Sequence, residues 1–172
     1  MSMQQPIVRR LAVTVMAALV ALGLVMSGSA HENREVGDFH FNVGFLNEPA
    51  YAGEMNGVIL TVTRGGPDGE PVEFAHESLQ ATIIHGDATM DVELSPVFNE
   101  PGAYTADVIP TSTGTYSFQF TGQIDGQEID ETFRSGPDTF SDVEARDAIE
   151  FPEDEASGAS GIDQAMALGL AG

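Results

Sequence analysis

Short runs in which apolar and polar residues alternate constrain the fold of this chain more than any other feature. In the first run, Phe39, Phe41, Val43 and Phe45 occupy every second position, and polar or small residues lie between them. Successive side chains of a β-strand point to opposite faces of its sheet, so this spacing predicts a strand with one face in a core.

Six further runs have strand character, and turn-forming residues separate them. They span residues 58–63, 79–85, 90–97, 103–109, 114–121 and 128–133. Gly86-Asp87-Ala88 and Asp125-Gly126 lie between neighbouring runs and predict hairpins. Seven short strands without a convincing amphipathic helix predict an all-β fold, an immunoglobulin-like antiparallel β-sandwich, with a small barrel as the alternative.

Residues 1–30 have the pattern of a secretory signal peptide. Arg9 and Arg10 precede an uncharged apolar run from Leu11 to Met26, and Gly28 and Ala30 are the small residues that a signal peptidase reads. This run is shorter than the ~20 residues that span a bilayer, so an uncleaved anchor is only the alternative. Cleavage after Ala30 predicts an exported protein, in the periplasm or on the outer face of the cell membrane.

The sequence predicts three regions: the signal helix over 1–30, one sandwich domain over 36–150, and a disordered acidic tail over 151–172. The tail is rich in Gly, Ser and Ala, a composition typical of linkers. Its apolar end, residues 165–171, is too short to span a membrane and reads either as the remnant of an anchor or as a frayed end. Membrane association is therefore expected only through an uncleaved signal or a C-terminal anchor.

The charge of the chain excludes one class of partner. Its 27 acidic residues outnumber six basic residues, and the formal net charge is −21. Nucleic-acid binding by phosphate neutralisation needs clustered Lys and Arg, so no nucleic-acid partner is expected. A surface of this charge attracts cations or basic partners instead. The absence of cysteine also removes any thiolate for catalysis or for soft metals.

No catalytic motif stands out, so an enzyme is not expected. The sequence has no Gly-x-Ser-x-Gly elbow, no phosphate-binding glycine loop and no His-Glu-x-x-His.

A metal site is the remaining chemical possibility. After cleavage, His31 would offer its α-amine and its imidazole to one Cu(II) ion, and nitrogen donors in a square arrangement suit that metal. His40, His85 and Asp87 complete the set of candidate metal ligands.

Several turn and core segments resemble those of known copper-related domains. They are Asn-Gly-Val-Ile-Leu-Thr-Val-Thr at 56–63, Gly-Glu-Pro-Val at 69–72, Pro-Gly-Ala-Tyr at 101–104 and Gly-Thr-Tyr at 114–116. Their order resembles YtkA-like domains and, more distantly, CopC-like copper-resistance domains. The resemblance implies an envelope sandwich associated with copper handling. In CopC-like domains an N-terminal His binds copper together with a later His and Asp. The resemblance implies His31, His85 and Asp87 for these roles, although here the His precedes the Asp, the reverse of the order in that family.

Two functional hypotheses follow from these patterns. In the first, the chain is an exported, non-catalytic envelope protein that binds or handles copper. In the second, it is a metal-free module at the cell surface that binds an envelope protein. The acidic surface and the lack of catalytic motifs agree with both hypotheses.

Overall fold

The computed structural model describes residues 31–152, and the predicted signal peptide and nearly all of the predicted tail lie outside them. The described part is built from strands and two three-residue 3₁₀ helices, Ala75–Glu77 and Arg146–Ala148. The strands are β1 (Glu32–Val36), β2 (Phe39–Phe45), β3 (Asn56–Arg64), β4 (Glu70–Pro71), β5 (Leu79–His85), β6 (Ala88–Val92), β7 (Ser95–Pro96), β8 (Ala103–Val108), β9 (Ser117–Ile124) and β10 (Gln127–Arg134).

The strands form two antiparallel sheets, which confirms the predicted immunoglobulin-like sandwich rather than the small barrel. One sheet has the order β1-β2-β3-β8-β7, with β4 also paired to β3. The other has the order β10-β9-β5-β6. Two sheets whose inner faces pack together bury alternate residues of each strand, as the sequence pattern requires.

Aromatic side chains join the two sheets. The Phe45 ring of β2 meets the Phe118 and Tyr116 rings from the opposite sheet edge-on, with ring centroids 5.1 and 5.9 Å apart. Nearer the other end of β2, the Phe41 ring lies 6.0 Å from that of Phe133. These contacts place the core between β2 on one side and β9 and β10 on the other, where edge-to-face and offset pairs are favourable.

Both predicted hairpins are confirmed. His85 pairs with Ala88 across Gly86-Asp87, and Ile124 pairs with Gln127 across Asp125-Gly126. Asp125 and Gly126 have φ angles of 49° and 85°. Positive φ at both central residues is the requirement of a type I′ turn, which matches the twist of the flanking strands.

Two features of the strand order differ from the sequence prediction. Strands β1 and β4 have no counterpart in the predicted set. The predicted strand over 90–97 is two strands, because β6 lies in one sheet and β7 lies in the other. Leu94, between them, is buried at 3% exposure, so the chain crosses the edge of the core at that residue.

One side of the sandwich is closed by contacts between β1 and β10. Arg34 donates to the Glu131 carboxylate at 2.8 Å, and its guanidinium lies 4.3 Å from the centroid of the Phe133 ring. The Gln127 amide donates to the backbone carbonyl of Val36 at 2.9 Å. The outer edges of these two strands are therefore tied together, which limits strand addition at that side.

Within residues 31–152, no helix has the length and apolar character needed to cross a membrane.

Candidate functional site

An apolar cleft lies where the loop after β4 meets the loop between β7 and β8. Its volume is about 260 Å³. We call it the Tyr104 cleft, and its lining residues are Glu73, Phe74, His76, Pro96, Val97, Asn99, Glu100, Pro101, Gly102, Ala103 and Tyr104. Ligand pockets that enclose a small molecule usually measure about 300–1,000 Å³, so this cleft has room for a side chain or two rather than a large cofactor.

The Tyr104 side chain holds the two walls of the cleft together. Its ring is buried at 2% exposure, and its hydroxyl donates to the Val72 carbonyl at 2.5 Å while accepting from the Ala75 amide at 3.1 Å. Burial raises the pKa of this phenol, and the nearby charge of Glu73 raises it further. The hydroxyl therefore stays neutral and fixes the loop over 72–75 to strand β8.

The Pro-Gly pair before β8 allows this close approach. Gly102 has a φ of +79°, and a Cβ atom there would lie 2.8 Å from the Val62 carbonyl oxygen and 3.0 Å from the Pro71 Cβ. Glycine fits this position best, because the left-handed region disfavours other residues and the Val62 carbonyl oxygen leaves too little room for a Cβ atom. The motif that resembles YtkA-like domains thus shapes one wall of the cleft.

His76 contributes a polar group to an otherwise apolar surface. Its ring lies 5.3 Å from the Tyr104 ring and 6.4 Å from the Phe74 ring, measured between centroids. The Nδ1 atom is buried, and it has no hydrogen-bond partner among the described residues. Buried polar atoms are nearly always paired in folded proteins, so His76 is an exception in the wall of this cleft.

Two phenylalanines beside the cleft are exposed to solvent. Phe74 is 64% exposed and Phe98 is 88% exposed. Phe74 and Asn99 both have positive φ angles, 66° and 61°. A bulky residue in the left-handed region costs free energy, and such residues are concentrated at functional sites. The fold therefore accepts both an exposed aromatic ring and an unfavourable backbone angle at Phe74.

A second concavity of about 580 Å³ adjoins the Tyr104 cleft across Glu73 and Phe74. We call it the acidic concavity, because its charged lining residues are Glu70, Glu73, Glu77, Asp125 and Arg64. Arg64 forms an ion pair with Asp125. Three glutamates are left beyond that pair, so the surface carries a net negative charge and favours cations.

The structure places His40 away from any open coordination position. His40 is 8% exposed, and its Nδ1 and Nε2 atoms lie 2.9 Å from Glu35 Oε1 and 3.1 Å from Asn33 Oδ1. Glu35 and Asn33 belong to β1, a strand that the sequence pattern did not predict. Both ring nitrogens are engaged with oxygen atoms, whereas a metal ligand must offer a lone pair.

Two other candidate ligands, His31 and His85, lie at different sheets. His31 Nε2 is 3.3 Å from the Phe45 carbonyl oxygen, next to the first sheet. His85 ends β5 of the second sheet, where its Nδ1 is 3.0 Å from the Thr115 carbonyl oxygen and its ring stacks on Tyr116 at 4.4 Å. A histidine that donates one N–H to a carbonyl presents its other nitrogen as an acceptor, which is common among metal ligands.

Asp87 lies in the turn that follows His85. Across residues 31–152, no group of three or more His, Asp or Glu side chains is placed to hold a metal ion. The α-amine that cleavage after Ala30 would create at His31 is a further donor. The set of His31, His40, His85 and Asp87 stays a prediction, and of these residues His40 fits the role least well.

The predicted strand over 103–109 includes Tyr104, but its pattern gives no sign of the cleft. His76, Phe74 and Phe98 lie outside the predicted strands. One local feature of the sequence does point to this surface: Phe74 and Phe98 are large apolar residues that lie outside any alternating strand pattern. What brings residues 73–78 and 96–104 together is the pairing of β3 with both β4 and β8, which no local pattern reports.

Comparisons with known proteins bear on the fold. No protein-family model and no curated protein matches the sequence. The chain is similar in structure to a DUF4426 family protein from Pseudomonas aeruginosa PAO1, with a TM-score of 0.50, 15% identity, and coverage of 67% of this chain and 98% of that chain. It also matches the Lin-41 filamin domain, with a TM-score of 0.36, 16% identity, and coverage of 66% and 98%.

At 15% identity, the likeness to the DUF4426 protein concerns the fold alone. The resemblance to YtkA-like and CopC-like domains stays a prediction. Residues 31–152 thus form an immunoglobulin-like β-sandwich, similar in fold to that DUF4426 protein.

Proposed function

We propose that this chain is an exported, non-catalytic module that binds a partner protein of the cell envelope through the Tyr104 cleft. The single observation that supports it most is the pair of exposed phenylalanines, Phe74 and Phe98, beside an apolar cleft. Burying one such side chain fully is worth about 1.5–3 kcal/mol, so a partner that covers this surface gains a substantial part of its binding free energy there. Export rests on the signal pattern of residues 1–30.

The cleft has features of an interface rather than of a catalytic centre. Aromatic residues are enriched at the energetic centre of protein interfaces, and the surrounding rim is usually polar. Here Glu73, Glu100 and Asn99 form the polar surroundings of an apolar floor. The only imidazole in the lining is that of His76, which lies beside the rings of Phe74 and Tyr104. The Tyr104 hydroxyl is bonded to the Val72 carbonyl and the Ala75 amide rather than to this imidazole, so it is not set up as an activated nucleophile.

We expect the Phe74→Ala variant of the mature protein to lose its partner. The experiment is capture from envelope extracts on immobilised protein, with and without EDTA, quantified for the same captured band. Wild-type protein and the control Phe151→Ala, which changes a 97% exposed phenylalanine outside the cleft, should capture equally. Truncating a central aromatic contact typically costs 2 kcal/mol or more, a loss of roughly thirtyfold in affinity. Equal capture by Phe74→Ala, or loss of the partner with EDTA, would contradict the proposal.

Cu(II) binding at the mature N-terminus is the second candidate function. The observation in its favour is the position of Glu48 near His31. Burial raises the pKa of Glu48, and the nearby charge of His31 opposes that increase. A carboxylate in the neighbourhood of His31 would add an oxygen donor of the kind Cu(II) accepts. This candidate depends on cleavage after Ala30.

For this candidate, titration of protein that begins at His31 with Cu(II) should produce a visible absorption band that saturates at one equivalent. The His31→Ala variant should lose most of the band, because it keeps the amine but lacks the imidazole. A version with extra residues before His31 is the matched control, since it keeps the imidazole and displaces the amine. Equal binding by that extended version would rule out the terminal chelate.

A further inference from the structure

We infer that the partner is a basic protein segment with an apolar anchor residue, bound in extended form across the ridge formed by Glu73 and Phe74. The apolar side chain would occupy the Tyr104 cleft, and Arg or Lys side chains would lie in the acidic concavity. This inference rests on the proposed function and specifies the chemistry of the partner.

The first argument is the contrast between two adjoining surfaces. The Tyr104 cleft has a mainly apolar lining and a volume of about 260 Å³, which suits one or two side chains. The acidic concavity shares Glu73 and Phe74 with it and adds Glu70 and Glu77. A ligand that covers the ridge therefore meets an apolar site on one side and carboxylates on the other.

The second argument is charge. The chain has a formal net charge of −21, so two copies of it repel one another, and an acidic partner meets the same repulsion. Among the charged residues of the acidic concavity, Arg64 is the only cation and is paired with Asp125. The unpaired carboxylates there would attract basic side chains, and guanidinium groups also stack favourably on aromatic rings such as that of Phe74.

The third argument is the conformation of Phe74. Its ring is 64% exposed on a backbone with φ of 66°. A bound segment that covers the ridge would remove this aromatic surface from water, which favours binding. A bulky residue held in the left-handed region at an exposed position is also typical of functional surfaces.

Titration with short peptides tests the inference directly. The probe is the acetylated and amidated pentapeptide Arg-Phe-Arg-Gly-Arg, and its matched control has Gln in place of each Arg. Binding to the ¹⁵N-labelled mature protein is followed by NMR at 150 mM salt, which screens non-specific attraction beyond about 8 Å. The shifted amides should lie in residues 70–78 and 96–104, and the basic peptide should bind at least about tenfold more tightly than the neutral one.

Two matched pairs of variants separate site binding from general attraction to an acidic protein. Phe74→Ala should lower the affinity for the basic peptide by at least about tenfold, and Phe151→Ala should leave this affinity unchanged. The double variant Glu70→Gln/Glu77→Gln should lower the affinity several-fold. The control Asp107→Asn/Glu128→Gln removes the same number of exposed charges outside the acidic concavity and should have less than about a twofold effect.

Two results would overturn the inference. Equal affinity for the basic and neutral peptides would exclude the basic partner. If the amides shifted by both peptides then lie in the cleft, the proposed function is still supported. If both double variants lower the affinity for the basic peptide equally, the peptide is attracted only by the net charge of the protein. If no peptide shifts the cleft and the Phe74→Ala variant still captures the partner, the proposed function fails as well.

Discussion

Phe45→Ala is expected to lower the free energy of unfolding by about 3–5 kcal/mol, the range for a phenylalanine truncated in a packed core. Phe45 is 1% exposed, and its ring meets those of Tyr116, Phe118 and Phe140. The substitution opens a cavity between the sheets at a point where both sheets and the segment after β10 converge. Since domains are stable by only about 5–15 kcal/mol, a large share of that stability would be lost.

Urea denaturation followed by circular dichroism measures this effect. The control is Phe98→Ala, which removes the same atoms from a ring that is 88% exposed and should change the free energy by less than about 0.5 kcal/mol. An effect of Phe45→Ala below about 1 kcal/mol would mean that β2 and β9 do not pack as described. The Phe98→Ala protein is also suitable for binding assays, because its fold is expected to remain intact.

Tyr104→Phe is expected to cost about 1–3 kcal/mol, although it removes a single oxygen atom. The hydroxyl satisfies both the Val72 carbonyl and the Ala75 amide, and these groups belong to residues that are 9% and 2% exposed. Removal of the hydroxyl leaves a buried acceptor and a buried donor without that partner. The loop over 72–75 should loosen, so peptide affinity at the cleft should fall together with stability.

The matched control is Tyr116→Phe. The Tyr116 hydroxyl makes one bond, to the Ser112 carbonyl at 3.1 Å, and that bond is only partly buried. Its loss should cost about 1 kcal/mol or less and leave the cleft unchanged. Hydrogen exchange at the Ala75 amide provides a second measurement, since it should accelerate in Tyr104→Phe and not in Tyr116→Phe. Equal effects of the two substitutions would mean that Tyr104 does not hold the loop.

The sandwich and both hairpins could be predicted because their signals are local. Alternation at Phe39, Phe41 and Phe45 indicates which face of the strand packs in the core, and Asp125-Gly126 indicates a turn of known geometry. Strand β1 could not be found in this way. Its sequence, Glu-Asn-Arg-Glu-Val, has one apolar residue, since an edge strand can be held by polar contacts such as those of Arg34.

The candidate sites depend on contacts that alternation does not encode. The burial of His40 follows from Asn33 and Glu35 on the unpredicted strand. The division of residues 90–97 between two sheets at Leu94 has no signature, because the two-residue period is the same in either sheet. The Tyr104 cleft needs the loop after β4 and the loop before β8 to meet, which is a property of the sheet order.

If the chain is exported as proposed, the tie between Arg34 and Glu131 has a consequence for the order in which its contacts form. Residues separated by 97 positions form that contact, and Phe140 and Val143, later still, are buried in the core. A polypeptide that crosses a membrane from its N-terminus delivers β1 first and these partners last. Until about residue 143 has crossed, the first-arriving strand lacks its closing contacts, so completion of the domain waits for almost the whole folded region to be delivered.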